Sequence, residues 1–353
     1  MESKVVSSDA TRGGYENFVV KPNREYLFLC SSRYMVTKIA LDETETCVDY
    51  IFSSTLLMKG IKLCSRLKKE YSGVIIDGHR VGLVIADLYS SIKDLDLFIR
   101  LRGDIWHEVN NGALSSWYNK YLVEIGDSSF IRAKSIISVS NYLKERIISR
   151  YPFLEQKITI VPPAIDVNFF IKEKKKKSNT IRLITVTNFN HWKKISPLIE
   201  YIDQFETLLK SIENISIDII GGGKHLEKVV NYYIERGVNV NFHGYVQNVK
   251  DYLNTADIYF HLSKLDTFGK SVIEAQSMQL PAVISNSCGL PETIHDKKTG
   301  FLVNNPEEFL NKVYYLIENK KIRHEMGYDA RQHVLDNFSP WIIGKKFSEI
   351  LEE

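Results

Sequence analysis

The chain of 353 residues has the length of about two domains, and 44% hydrophobic residues give each enough apolar material for its own core, which excludes a small stapled scaffold. Charge is balanced at 46 Lys+Arg against 43 Asp+Glu, split 22 against 20 up to Phe170 and 24 against 23 beyond it, so the basic surplus expected of a nucleic-acid binder is missing. Cys30, Cys47, Cys64 and Cys288 stand singly, without zinc-site pairs or disulfide density, which fits a reducing, cytoplasmic setting.

The first residues, Met1 to Ser8, lack the apolar core of an export signal, and no run of about 18 apolar residues occurs, so neither a signal peptide nor a membrane span is expected. Short apolar runs then alternate with segments of helical spacing, the pattern of a parallel sheet covered by helices. Strands are predicted at 4–7, 26–30, 48–52, 73–76, 97–101, 135–139 and 158–161, with helices at 56–71 and 140–149 among them. Pro162-Pro163-Ala164-Ile165-Asp166 makes a turn, and a lysine run follows from Lys172 to Lys177. The two read as an exposed linker at 166–179 between a domain at 1–165 and one at 180–338. The lysine run also suits an anionic membrane surface, although a solvated face is the simpler reading. Beyond it the alternation resumes, with strands at 181–186, 216–220, 238–242, 258–261, 282–285 and 300–302.

The densest chemical signal is Asp266-Thr267-Phe268-Gly269-Lys270-Ser271-Val272-Ile273-Glu274-Ala275, a strand, a polar loop with one glycine, then a helix. Such a turn leaves the first backbone N–H groups of the helix aimed out of the carboxyl end of the sheet, where the helix dipole favours a phosphate or diphosphate. Asp266 in the loop and Glu274 one turn into the helix then face one ligand. The competing reading is a capping box, Ser271-Val272-Ile273-Glu274, in which Glu274 merely folds back onto the helix start.

At this motif the chain resembles the retaining glycosyltransferases of family 4. The acidic residue, seven residues, then Glu is here Asp266 to Glu274. Gln279-Leu280-Pro281-Ala282-Val283, Gly289-Leu290-Pro291-Glu292 and Thr299-Gly300-Phe301-Leu302-Val303 are similar to the next landmarks of that family. Upstream, Ile219-Ile220-Gly221-Gly222-Gly223, Val240-Asn241-Phe242-His243-Gly244-Tyr245-Val246 and Ile160-Val161-Pro162-Pro163-Ala164-Ile165-Asp166 resemble its glycine turn, nucleotide-binding strand end and interdomain junction. The resemblance implies an α/β GT-B fold, two Rossmann-like doubly wound domains facing across a cleft, and a closing helix at about 339–353 that returns to the first domain. It also implies a nucleotide diphosphate sugar donor, a glycan or lipid-linked acceptor, no cofactor and no metal. A peripheral place at the cytoplasmic membrane face is compatible with such an acceptor.

Residue by residue, the resemblance puts Asp266 on the donor sugar hydroxyls and Glu274 on the ribose. The backbone through Thr267, Phe268, Gly269, Lys270, Ser271 and Val272 falls on the diphosphate and sugar, and main-chain groups of Tyr245 and Val246 on the base. Lys193, with Lys194 beside it, matches the lysine that neutralises the leaving diphosphate, a charge such a reaction must stabilise; a Lys-Lys pair standing alone reads as a solvated helix start. Gly13 and Gly14 resemble the Gly-Gly loop that approaches the donor phosphate. Three departures stand out. Asp266 replaces the usual Glu, Asn188 stands where many members carry a diphosphate-binding Arg, and Arg102 stands where His is usual. Arg102 is therefore expected to supply charge missing at Asn188. After Glu16 the family has a long helix, which Lys21-Pro22-Asn23 interrupts here.

Other motifs read as structural first. Asp94-Leu95-Asp96 has metal-binding spacing but suits a solvated turn, and His79 suits a strand end. Trp106, Trp117, Tyr118 and Tyr121, near Lys120, Arg132 and Lys134, fit either helix packing or a sugar or membrane contact. Two rival functions remain, a GT-B nucleotide-sugar epimerase and a catalytically silent nucleotide-sugar-binding partner of another glycosyltransferase; the departures at Asn188 and Arg102 favour the second of these rivals.

Overall fold

In a computed structural model of the chain, the structure describes residues 16–20, 26–30, 37–41, 71–78, 81–107, 117–173 and 179–353. The strands expected at 4–7 and 48–52, the helix at 56–71 save its last residue, His79, Gly13 and Gly14 lie outside these. Of Trp117 and Tyr118 only the backbone is described. The described residues from Glu16 to Ala164, together with Pro340–Glu353, form one compact unit, and Ile165–Ser339 form a second.

The first unit contains β1 (Glu16–Val20), β2 (Tyr26–Cys30), β3 (Thr37–Leu41), β4 (Gly73–Asp77), α1 (Val81–Lys93), β5 (Asp96–Leu101), α2 (Trp117–Arg132), β6 (Ser135–Ser138), α3 (Asn141–Arg150) and β7 (Ile158–Ile160). Five strands make a parallel sheet in the order β2-β4-β5-β6-β7, while β1 and β3 pair in parallel as a separate ribbon. β4 and the apolar part of β5 are buried throughout, as strands covered on both faces must be. Glu16–Val20 is thus a strand, where the family resemblance implied a helix. Phe18, Val19 and Val20 favour a pleated surface, and Pro22 prevents a helix from continuing. α3 is capped by Ser140, whose hydroxyl accepts from the Leu143 N–H at 3.0 Å. The final helix, Pro340–Glu352, buries Ile343, Phe347, Ile350 and Leu351 with Ile75, Phe98, Ile137 and Val161. That spacing is one stripe of a helix, and each such side chain contributes about 1.5–3 kcal/mol when buried.

The second unit runs β8 (Ile181–Val186), α4 (Trp192–Glu200), α5 (Ile202–Ser211), β9 (Ile215–Ile220), α6 (Leu226–Glu235), β10 (Asn241–Gly244), α7 (Val249–Thr255), β11 (Ile258–His261), α8 (Lys270–Ser277), β12 (Ala282–Ser285), β13 (Gly300–Val303), α9 (Pro306–Glu318) and α10 (Lys320–Phe338). Its six parallel strands lie in the order β10-β9-β8-β11-β12-β13. The chain winds outward from β8 in one direction and from β11 in the other, so the order reverses between these two neighbours. At such a switch point the connections leave in opposite directions and open a crevice at the carboxyl ends of the strands. Strand alternation divides the core: Leu183, Phe260 and Val283 pack on one face with Phe205 and Phe309, and Ile184, Tyr259 and Ile284 on the other with Val272 and Ala275. β10 begins later than the strand expected at 238–242. Val238 closes the turn after α6, its N–H bonding the Tyr233 carbonyl at 3.0 Å.

The linker expected at 166–179 is, over 166–173, packed on the second unit. Arg331 of α10 donates to the carbonyls of Val167 at 2.9 Å, Phe170 at 2.7 Å and Ser277 at 3.0 Å. Lys172 Nζ donates to the Ala256 carbonyl at 3.0 Å, and the Glu173 N–H to Asn254 Oδ1 at 2.9 Å. Extended backbone needs donors and acceptors from its surroundings, and here they come from α7, α8 and α10. Among the described residues no helix is long and apolar enough to cross a membrane.

His333 of α10 is buried, its ring 4.3 Å from that of His295 and 5.2 Å from that of Phe338. Burial, reinforced by His295, lowers its pKa from 6.5 to about 4. Between those values the unfolded chain binds a proton that the folded chain does not, so stability is complete above the window and declines as pH falls through it. Replacing the residue, His333→Gln, should remove about 2–3 kcal/mol of that decline. Urea unfolding of both proteins from pH 7 to 4 measures it, and parallel curves would refute the assignment.

Candidate active site

The switch point is lined by loops held to one another through backbone. After β8 and β9, the Thr187 N–H bonds the Ile220 carbonyl at 2.9 Å, the Phe189 N–H bonds that of Gly222 at 3.0 Å, and the Gly221 N–H reaches that of Gly244 at 2.8 Å. A Cβ on Gly221 would lie 1.8 Å from the Thr187 carbonyl oxygen, and one on Gly223 2.5 Å from the Phe189 carbonyl carbon. Both glycines have strongly positive φ, +140° and +146°, so the glycine turn answers to a steric need as well as a conformational one.

The loop after β11 carries the acid. Asp266 is buried, with Lys194 Nζ 2.6 Å from Oδ1 and His261 Nε2 3.0 Å from Oδ2. Burial alone would raise its pKa; the Lys194 charge and the hydrogen bonds from His261 and Lys194 outweigh that and hold the carboxyl well below the usual range. The loop backbone is fixed from behind by the Gly289 N–H, which bonds the Asp266 carbonyl at 2.8 Å. α8 then starts at Gly269, whose φ of +96° turns the chain into the helix with no side-chain cap. Ser271 is therefore inside the helix, not its cap, and its Oγ accepts from the Tyr259 hydroxyl at 2.9 Å. The capping box is not formed. Glu274 lies one turn further on, half-buried, with Lys270 Nζ at 3.9 Å.

Of the residues singled out by sequence, the second unit gathers Asp266, Thr267, Phe268, Gly269, Lys270, Ser271, Val272 and Glu274 on one turn. Phe268 and Val272 are buried, Phe268 edge-on to Phe338 at 5.5 Å, so they offer a ligand only backbone. Tyr245, 72% exposed, and half-buried Val246 follow the end of β10. Asn188 is exposed and closes its own turn, its Oδ1 accepting from the Asn190 N–H at 2.8 Å. The lysine on Asp266 is Lys194, whereas Lys193 is exposed and its carbonyl accepts from the Lys264 N–H at 2.9 Å. One step along α4 rotates a side chain by about 100°, so neighbouring lysines face different ways.

Arg102 belongs to the first unit and is committed there. Its Nε lies 2.9 Å from Asp77 Oδ1, and Arg100 Nη1 lies 3.4 Å from Oδ2 of the same buried carboxylate. The charge expected to replace an arginine at Asn188 is thus neutralised within its own sheet. Trp106 is buried in packing: Nε1 reaches both Asp127 carboxylate oxygens at 3.1 Å, and its ring meets Phe130 and Tyr151 edge-on at 6.1 Å. Arg132 pairs with Asp87 at 2.7 Å and Lys134 with Asp96 at 3.1 Å, while Tyr121 is exposed. Asp94-Leu95 is the tight turn before β5, with Asp94 at φ 54°, and Asp96 opens the strand.

Sequence reading passed over Tyr259 and His261. A signal for them existed: they are polar residues two apart, hence on one face, in a strand that is otherwise Ile and Phe.

Residues 166–333 match the family described as glycosyl transferases group 1. An uncharacterized glycosyltransferase of Methanocaldococcus jannaschii is 27% identical over 295 residues, 77% of this chain and 71% of its own length. Trehalose synthase of Thermococcus litoralis is 26% identical over 223 residues, 56% of this chain; the match spans about half of that relative, 53%. Among solved structures, Anabaena HepE in complex with UDP and glucose superposes with a TM-score of 0.74 at 14% identity, over 94% of this chain and 100% of that one. The fold is the GT-B class of α/β protein, with Rossmann-like parallel sheets.

A methyl group on Gly289 would lie 2.0 Å from the Thr267 carbonyl oxygen. Gly289→Ala should therefore displace the 266–268 loop and destabilise the second unit by about 1–3 kcal/mol. Thermal unfolding reads the change, and an unaltered melting temperature would show that the loop yields freely.

Proposed function

We propose that this chain, whose residues 166–333 match the group 1 glycosyl transferases, is a retaining glycosyltransferase that moves a sugar from a nucleotide diphosphate donor to a hydroxyl of a glycan or lipid-linked acceptor. The observation that carries the reading is a buried carboxylate, Asp266, held ionised by Lys194 and His261 at the switch point, directly before the amino end of α8. Asp266 takes the donor sugar hydroxyls, Glu274 the ribose, and the backbone from Thr267 to Val272 the diphosphate. Main-chain groups of Tyr245 and Val246 take the base. The UDP and glucose held by the Anabaena neighbour support a nucleotide-sugar ligand.

Transfer breaks the bond from the anomeric carbon to the diphosphate and forms one to the acceptor oxygen on the same face. The acceptor proton passes to a diphosphate oxygen, so no separate general base is needed. Negative charge grows on the leaving diphosphate, and the helix dipole of α8 with Lys194 stabilises it without a metal ion. A lipid-linked acceptor would bring the chain to a membrane face.

One observation favours a second reading, a silent nucleotide-sugar-binding partner: Asn188 carries no charge and Arg102 is paired with Asp77. Incubation with a panel of nucleotide sugars, with and without a membrane-lipid extract, separates the two by nucleoside diphosphate release. Release that rises with extract and falls by about 100-fold or more in Asp266→Ala and Glu274→Ala is expected. A donor that raises the melting temperature yet is never turned over would establish the partner instead.

A further inference from the structure

We propose that Lys224, on the glycine turn after β9, is a second cation for the donor diphosphate and meets it with its ammonium group. The inference rests on the donor-site reading above and deepens it. A leaving nucleoside diphosphate carries more than one negative charge, yet most cations on the loops after β8, β9 and β11 are already matched. Lys194 Nζ is 2.6 Å from Asp266, Lys264 Nζ is 2.6 Å from Glu200, and Lys270 Nζ lies 3.9 Å from Glu274. Burial, with the charges of Lys194 and Lys224, lowers the His191 pKa, so that imidazole adds no charge at neutral pH. Lys193 and Lys224 remain, both exposed and in no ion pair among the described residues.

The backbone holds position 224 against the loop that carries Asn188 and leads into α4. The Lys224 N–H bonds Asn190 Oδ1 at 3.2 Å, and the His225 N–H bonds the Phe189 carbonyl at 3.0 Å. Gly223, just before them, packs so closely that a Cβ there would sit 2.6 Å from the Asn190 nitrogen. The His191 imidazole feels Lys194, Lys224 and Asp266 together, so Lys224 acts on the same stretch of loop as the acid and its lysine. Lys193, by contrast, is turned about 100° from Lys194 around α4. The field of Lys194 is largely cancelled by Asp266, whereas a cation not shared with a carboxylate acts on the departing phosphate at full charge. A lysine is a point charge on a flexible stem, so it follows the phosphate as the bond to the sugar breaks. The structural bond at this position is made by the main-chain N–H, so a substitution of Lys224 alters charge and leaves the turn in place.

Calorimetric titration of the full chain with UDP, GDP and ADP, at low and at high potassium chloride, tests the assignment. Lys224→Gln should weaken whichever diphosphate binds the wild type by about tenfold at low salt, and the loss should shrink at high salt. Lys224→Arg, which keeps the charge, should restore the wild-type affinity. Lys228→Gln removes a lysine one turn further along α6, where Nζ lies 4.4 Å from the centre of the Trp192 ring, and should leave the affinity unchanged. Undiminished binding by Lys224→Gln, an equal loss in Lys228→Gln, which would report the general field rather than a contact, or a loss that Lys224→Arg does not restore each overturns the role of Lys224 and leaves the donor site standing. If none of the three nucleotides binds the wild type, the donor-site reading falls and the role of Lys224 with it.

Discussion

A carboxylate buried at the carboxyl end of a parallel sheet is the constraint from which the candidate site follows. Removing Asp266 from water costs several kcal/mol unless both oxygens find donors. One donor, Lys194, comes from the helix after β8, and the other, His261, from the end of β11. The two can meet because β8 and β11 are neighbours in the sheet although about 75 residues separate them in the chain. Any strand order that separated them would strand the acid. Topology and electrostatics are in this sense one requirement.

The rest of the second unit keeps that meeting in place. Gly289 holds the acid loop by its backbone, and Phe268 anchors the loop on Phe338. Arg331 ties the incoming chain at Val167 and Phe170 to the carboxyl end of α8. That helix is thus restrained at its carboxyl end. In the first unit a similar buried carboxylate, Asp77, is met by two arginines from the adjacent strand and its extension. There the carboxylate fixes cations, whereas at Asp266 cations fix the carboxylate.

How much of this was legible in the sequence depended on the range of the interaction. Strands such as Ile181–Val186, Ile258–His261 and Ala282–Ser285 are apolar runs between polar turns, and their limits follow from local pattern alone. The loop from Asp266 to Gly269 was likewise visible as a carboxylate, a glycine and a helix start. The contact partners were not. Whether Lys193 or Lys194 meets the acid is decided by the phase of α4, which depends on where that helix begins, at Trp192. Arg102 is paired with Asp77, a residue on another strand that no local pattern connects to it. Tyr259 and His261 read as ordinary strand residues until the sheet turned that face toward α8.

The backbone contact between the turns after β8 and β9 has a consequence for how the site can change. Because Gly221 and Gly223 lie against the main chain of Thr187, Phe189 and Asn190, neither position accepts a side chain without moving the turn after β8. Asn188 and Asn190 brace that turn with their own side chains, on the N–H groups of Asn190 and Lys224, whereas the exposed Lys193 side chain can change charge while the turn stays in register. The glycines and the two asparagines thus fix the turn, and the neighbouring lysine is the adjustable part.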